Sequence, residues 1–193
     1  MIEGAFAPDR LLQVFRDFVF YPDDSKKSEA IICRYPQFFA ANKMLESLSQ
    51  HKRPAGDGKG GIYFGATGCG KTYTMLFLSR QLMLRKKDVF HNPTIVLITD
   101  REDLDTQTSK LFVTAKEYLH DKNIKSIESR DDLHDTLSNC ESGGVYITTI
   151  QKFCESTGLL SDRSNIICIS DEAHRSNAGV NAKLKKTDKG VFT

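Results

Sequence analysis

No run of this sequence approaches the roughly 20 uncharged apolar residues that a membrane-spanning helix needs, which excludes a helical span. The N-terminal stretch lacks a signal-peptide apolar core, because Asp9, Arg10, Arg16 and Asp17 interrupt it. There is no C-x-x-C pair. The five cysteines (Cys33, Cys69, Cys140, Cys154 and Cys168) are odd in number and far apart. That argues against a disulfide framework or a zinc site and for a reducing compartment. A charge excess is missing too: 27 Lys and Arg against 25 Asp and Glu leave a net charge of +2. Any nucleic-acid-binding surface must therefore be local. Internal repeats and low-complexity tracts are absent. What remains is a chain of 193 residues, 39% hydrophobic and 27% charged. It is long enough to bury a core without disulfides or a structural metal. The expectation is a soluble, cytoplasmic domain.

The apolar pattern changes partway along. Leu11, Leu12, Val14, Phe15, Phe18 and Val19 recur at helical spacing, and Pro36 opens a second helix with Phe39, Ala40, the Lys43 stem, Met44 and Leu48 inward. His51 to Gly61 is the clearest loop. Beyond it, short apolar runs alternate with helical stretches. Strands are predicted at Ile62–Phe64, Thr94–Thr99, Val145–Ile150 and Ile166–Ile169, with a weak one at Asn123–Ile127. Helices are predicted at Thr72–Arg85 and from about Glu102 to Leu119, and Ser129 with Asp132 resembles a capping box for a short helix. Such alternation implies an α/β fold: a mostly parallel sheet with helices on both faces and ligands at the carboxyl ends of its strands.

Two motifs fall at those ends. Gly65-Ala-Thr-Gly-Cys-Gly-Lys-Thr72 fits G-x-x-x-x-G-K-[ST] between a predicted strand and a predicted helix. Glycines let successive N–H groups turn toward one anion, and the helix N-terminus adds its dipole. Gly68, Cys69 and Gly70 form the cradle, Lys71 would neutralise the β- and γ-phosphates of ATP, and the Thr72 hydroxyl would ligate Mg²⁺. Cys69 need only be small. About one hundred residues later, Asn165-Ile-Ile-Cys-Ile-Ser-Asp-Glu-Ala-His174 ends a buried strand in two carboxylates. Asp171 suits Mg²⁺, and Glu172 suits the orientation and deprotonation of an attacking water. His174 has no second ligand at metal spacing.

Asp171-Glu-Ala-His174 with the phosphate loop resembles the superfamily 2 helicases and translocases. Four blocks sharpen this: Gly60 to Thr72, Pro93-Thr-Ile-Val-Leu-Ile-Thr-Asp-Arg-Glu-Asp-Leu, Thr148-Thr-Ile-Gln-Lys-Phe153, and Ser170 to Ser176. Together with Leu11 to Phe18 and Arg34 to Lys43, they resemble the first RecA-like motor lobe of the restriction subunit of type I restriction–modification enzymes, over about Pro8 to Ser176. The resemblance implies a P-loop NTPase coupling ATP hydrolysis to duplex-DNA translocation, in complex with methylation and specificity subunits in a bacterial or archaeal cytoplasm. It divides the chain into an N-terminal helical segment, 1–55, carrying an adenine-recognition motif, and a RecA-like ATP-binding lobe, 56–193. It also implies that Gln37 and Arg34 read adenine, that His174 couples the ATP site to DNA, and that Thr99, Arg101, Thr148, Thr149 and Gln151 face the DNA backbone. From the residues alone, Arg34 and Gln37 could merely lead into a helix, and the threonines could reflect β-propensity at strand ends.

The family's next motif, its second motor lobe with the completing arginine, and its nuclease have no counterpart here. Asp23 with Asp57-Gly58-Lys59 matches a nuclease signature only formally, since Asp57 lies in the glycine loop. The expectation is therefore ATP binding with little turnover. Another superfamily 2 lobe or a type III restriction subunit are the nearer alternatives. A small P-loop kinase and a non-hydrolysing nucleotide-binding module are the more distant ones.

Overall fold

Thr94 to Thr99 carries a dense run of β-branched residues, and in the computed structural model it becomes a strand buried at every position. The structure describes residues 6–23, 29–100, 102–154, 160–171 and 173. In chain order the elements are α1 (Pro8–Asp17), β1 (Val19–Phe20), β2 (Ile31–Ile32), α2 (Tyr35–Gln50), α3 (Lys71–Arg80), α4 (Lys87–Phe90), β3 (Thr94–Thr99), α5 (Glu102–Val113), α6 (Lys116–Leu119), β4 (Ile124–Ser126), α7 (Arg130–Asn139), β5 (Val145–Thr149), α8 (Ile150–Cys154) and β6 (Ile166–Ser170). A π-helical turn, Gln81–Arg85, continues α3.

The main sheet is parallel, in the order β4-β5-β3-β6. Because side chains alternate along β3, Ile95 and Leu97 pack with Leu76, Phe77 and Leu78 of α3 on one face. Val96 and Ile98 pack with Leu133 and Leu137 of α7 on the other. Helices thus cover both faces, as the alternating pattern predicts. The first core is continuous with Phe18, Phe20, Phe38, Ala41 and Leu45, so the N-terminal segment shares one apolar interior with the sheet. Among the described residues, no helix is long and apolar enough to cross a membrane.

Several local expectations are corrected. Ile62–Phe64 forms no strand and joins no ladder, with Ile62 85% and Phe64 95% exposed. Three apolar residues suffice for propensity, but a strand exists only where a neighbour takes its backbone groups. Val19 belongs to an antiparallel β1–β2 hairpin rather than to the first helix. The inward face of α2 is Phe38, Ala40, Ala41 and Leu45, while Phe39, Met44 and Leu48 are only partly buried. The long helix predicted after β3 divides near Thr114, because the Thr114 carbonyl accepts from Asp23 N–H at 2.8 Å and Ala115 N–H bonds only three residues back.

At α7 the Ser129 hydroxyl accepts from Asp132 N–H at 3.1 Å, as predicted. The Asp132 side chain, a methylene shorter than the Glu of a full capping box, accepts instead from Glu128 N–H (3.1 Å) and Lys125 Nζ (2.7 Å). These donors, led by Lys125, hold its carboxyl below the usual range.

One buried charge secures α1. Asp17 ends the helix fully buried and pairs with Arg16 at 2.9 Å and with Arg85 on the π-helical turn, while Arg80 of α3 stands 4.0 Å away. The Asp17 carbonyl accepts from the Tyr118 hydroxyl of α6. Arg80 lies over the Tyr118 ring at 4.3 Å and donates to the Tyr118 and Arg16 carbonyls.

Candidate nucleotide site

Glycine at positions 68 and 70 answers a backbone demand: φ is +77° and +83°, in the left-handed region that side chains avoid. With these turns the segment from Gly65 wraps into α3, and Lys71 becomes the first helical residue. Lys71 Nζ lies 3.5 Å from the Gly65 carbonyl of its own loop, and it is half-buried. Thr72 follows on the first turn, also half-buried.

The loop forms one wall of a cavity of about 930 Å³. Gly65, Ala66, Thr67 and Lys71 stand on one side, and Ser170, Asp171 and Ala173 at the end of β6 on the other. Asp171 is placed by its backbone, whose N–H donates to the Ile98 carbonyl of β3 at 2.8 Å. The structure therefore brings the phosphate loop and the acidic motif, about one hundred residues apart in sequence, to a single cleft at the carboxyl end of the sheet. Glu172 and His174 lie outside the described residues, as does Arg101.

Among the described residues, no three His, Cys, Asp or Glu side chains gather into a metal cage. Mg²⁺ keeps waters and is held by few protein oxygens plus substrate phosphates, so it needs no such cage; of the two expected ligands, Asp171 lines the cleft, and Thr72 is not among its lining residues. Thr72 and Asp171 have the required oxygen chemistry.

Gln37 sits at the third position of α2, buried against the loop (4% exposed). Its Oε1 accepts from Arg34 N–H at 2.7 Å, and its Nε2 donates to the Gly70 carbonyl at 3.0 Å and faces the Cys69 carbonyl at 3.4 Å. Arg34 caps α2 and its side chain is exposed.

Sequence reasoning missed Tyr63. Its hydroxyl lies 3.9 Å from Cys69 Sγ, and its ring crowds Gly65 so closely that a Cβ there would meet it at 3.0 Å. Desolvation, then the adjacent Cys69 thiol, raise the Tyr63 phenol above its ordinary value, so it stays protonated near neutrality. Cys69 is a free, half-buried thiol in the loop. Saturating Mg-ATP should slow its alkylation severalfold, followed by peptide mass spectrometry. Equal labelling with and without ATP would remove Cys69 from the binding surface.

The residues expected to face DNA divide. Thr99, Thr148 and Thr149 are 1%, 0% and 2% exposed. The Thr99 hydroxyl donates to the Thr148 carbonyl at 3.4 Å. Central strands covered on both faces bury side chains up to their last residue, so in this structure these hydroxyls are turned inward. Gln151 alone of the described set is exposed, with its amide 3.4 Å from the Asp100 carbonyl. The formal nuclease residues are occupied elsewhere: Asp57 accepts from Lys59 N–H and pairs with His51, each at 2.9 Å, and Asp23 accepts from Glu117 N–H at 3.2 Å.

Comparison with known proteins agrees with this geometry. Residues 36–189 match the family model described as SWI2/SNF2 ATPase. The chain is 37% identical over 190 residues to the type I restriction enzyme HindI endonuclease subunit of Haemophilus influenzae, covering 95% of this chain and 18% of that protein. It is 33% identical over 192 residues to the putative type I restriction enzyme MjaIXP endonuclease subunit of Methanocaldococcus jannaschii, covering 95% and 17%. A type I endonuclease subunit from Staphylococcus aureus is 30% identical over 156 residues, covering 78% and 15%. The chain thus spans under a fifth of the length of these relatives.

Proposed function

This chain belongs to the SWI2/SNF2 ATPase family, and we propose that it is the first ATP-binding lobe of the motor of a type I restriction endonuclease subunit. The observation that carries this reading is the meeting of the phosphate loop and Asp171 across one cleft, in a chain whose relatives are type I endonuclease subunits. In it, the loop N–H groups and the α3 N-terminus hold the triphosphate. Lys71 neutralises the β- and γ-phosphates, and Thr72 and Asp171 hold Mg²⁺, which when bound offsets charge on the transferring phosphoryl group. Glu172 orients the attacking water and takes its proton.

In the whole subunit this hydrolysis drives translocation along duplex DNA ahead of cleavage. Methylation and specificity subunits are the partners, and the compartment is the cytoplasm. In this reading Gln151, which is exposed, contacts the DNA backbone together with Arg101, Thr99, Thr148 and Thr149, and His174 couples the ATP site to the DNA. Related hydrolases gain about 10³ to 10⁵ in rate from an arginine supplied across the cleft. This stretch alone therefore binds ATP and turns it over slowly.

The test combines calorimetry with steady-state turnover, with and without linear duplex DNA. Glu172→Gln should keep Mg-ATP affinity within about threefold, because it touches water rather than phosphate, and should remove the residual turnover. Absence of ATP binding by the unmodified chain would overturn the assignment. Fast DNA-stimulated turnover would show that this stretch completes its own site.

A further inference from the structure

We infer that the end of the domain opposite the phosphate loop carries a band of Lys and Arg that holds the phosphate backbone of duplex DNA without reading its sequence. The choice of DNA rests on the translocation reading above, whereas the band itself lies outside the ATP site. Segments 51–60 and 80–91 hold seven Lys and Arg against two Asp, a surplus of five in a chain whose net charge is +2. The rest of the molecule is therefore slightly acidic, and the positive charge is local.

The fold brings these segments to one place. α3 starts at the phosphate loop, and with its π-helical turn it runs from Lys71 to Arg85, about 20 Å at about 1.5 Å per residue. Its far end stands at the amino end of the sheet: Lys86 and Lys87 follow it, and α4 leads into Thr94, the first residue of β3. The His91 carbonyl accepts from Asn165 Nδ2 at 3.2 Å, one residue before β6 begins. The loop after α2 closes on the same place, because Lys52 Nζ donates to the Val89 carbonyl and lies 5.8 Å from the centroid of the Phe90 ring. Arg53 and Lys59 belong to that loop. On the other side, Arg85 shares the buried Asp17 carboxylate with Arg16 of α1, which extends the band by one more guanidinium.

These charges are not neutralised locally. Arg16, Arg53, Lys59, Arg85, Lys86 and Lys87 are all exposed. Among the described residues, Lys59, Lys86 and Lys87 form no ion pair. Asp57, one of the two acids, is engaged within its own loop by His51 and the Lys59 N–H, each at 2.9 Å. Cations near the end of a helix suit its dipole, which accounts for Arg80 and Arg85. It does not account for Lys52, Arg53 and Lys59, which lie on a loop.

The chemistry of the band selects the partner. A protein interface has an apolar centre depleted in charge. Across segments 51–60 and 80–91, Val89, 38% exposed, is the one exposed large apolar side chain. Single-stranded nucleic acid is held by stacking on aromatic faces, and the Phe90 ring is buried. Exposed lysines and arginines with neither an apolar centre nor a stacking ring suit phosphates spaced along a duplex, where contacts position without specifying.

The experiment is fluorescence anisotropy of the full chain, without nucleotide, on labelled duplexes of about 20 base pairs and two unrelated sequences, at about 50 and about 200 mM salt. Lys59→Glu and Lys87→Glu test the loop and the α4 side separately, and their combination tests the band. The combined variant should bind at least about tenfold more weakly at the lower salt, equally for both sequences. Its slope of log affinity against log salt should fall by about 2, each lost phosphate contact taking about 0.9. Lys110→Glu, an exposed lysine of α5 outside the band, makes the same charge change as either single variant and should stay within about twofold. Equal losses in Lys110→Glu and Lys87→Glu, or no duplex binding by the unmodified chain at the lower salt, would overturn the inference. So would loss for one duplex sequence only. Polyglutamate bound where duplex DNA is not would assign the band to an acidic protein surface instead. Mg-ATP affinity should be unchanged in the combined variant, so the ATP-site reading and this inference can fail independently. Should the combined variant melt below the assay temperature, Lys59→Gln with Lys87→Gln, which removes the charge without reversing it, carries the same expected fall in slope.

Discussion

Lys71→Ala should weaken Mg-ATP binding by at least about 100-fold while leaving the fold intact. The Lys71 ammonium is half-buried and, among the described residues, meets only the Gly65 carbonyl at 3.5 Å, the long end of hydrogen-bond range. It therefore contributes little to folding and is available to an anion. With a triphosphate in the cradle, it makes charge-assisted bonds to phosphate oxygens in a partly desolvated cleft. Removing one partner of such a pair costs about 2–5 kcal/mol, and about 2.8 kcal/mol already means a factor of 100. Alanine at this position is a good helix former, so α3 is not penalised. The melting temperature should stay within about 2 °C, since little packing is lost. Calorimetry on both proteins decides the matter. Unchanged affinity in Lys71→Ala would sink the phosphate-loop assignment, whatever the homologues do.

Parts of this site were readable because their signals are local. The phosphate loop needs glycine at defined offsets, so its chemistry is written in eight adjacent residues, 65–72. The buried strands Thr94–Thr99, Val145–Thr149 and Ile166–Ser170 announce themselves by β-branched runs, and their ends place Asp171. What was hidden depends on neighbours distant in sequence. Ile62–Phe64 has the propensity of a strand but no ladder partner among the described residues. Thr148 and Thr149 sit at the end of a strand that predicts exposure, yet β3 and the covering helices bury them. In α2, Phe38 and Phe39 are adjacent, and only the packing of Phe18 decides that Phe38 is the inward one. The sequence singles out Gln37 as a candidate for the ATP site. Its carbonyl partners, 32 and 33 positions away, were not legible.

Asp17 is the extreme case of a hidden residue, and its removal should produce the largest loss of stability. In sequence it is one of 25 acidic residues, next to an arginine at the end of an amphipathic helix. In the structure its carboxylate is fully buried, and its partners Arg80 and Arg85 come from 63 and 68 positions along the chain. Replacing a buried pair wholesale can be neutral, but deleting one member strands the other. Here the stranded group is Arg80, whose side chain is 12% exposed and whose Nε has no hydrogen-bond partner among the described residues. Desolvation already pushes the Arg80 guanidinium below its ordinary pKa, and Asp17 is among the groups that oppose it. Arg85, 35% exposed, can turn to water and softens the loss.

Asp17→Ala should therefore cost about 3 kcal/mol, the lower end of the range for breaking a buried pair. For a domain of this size that is a fall of about 10 °C in melting temperature. Arg16→Ala is the control. Its guanidinium is 49% exposed, so losing that pair should cost under about 1 kcal/mol although its 2.9 Å distance is good. Equal small shifts in both variants would mean that Asp17 is solvated in solution and that α1 is not clamped to the lobe. If Asp17→Ala melts early as expected, ATP affinity measured well below its transition adds a second reading. Asp17 leads directly into Phe18, and Phe18 packs on Phe38 beside Gln37, so a loosened α1 should weaken ATP binding.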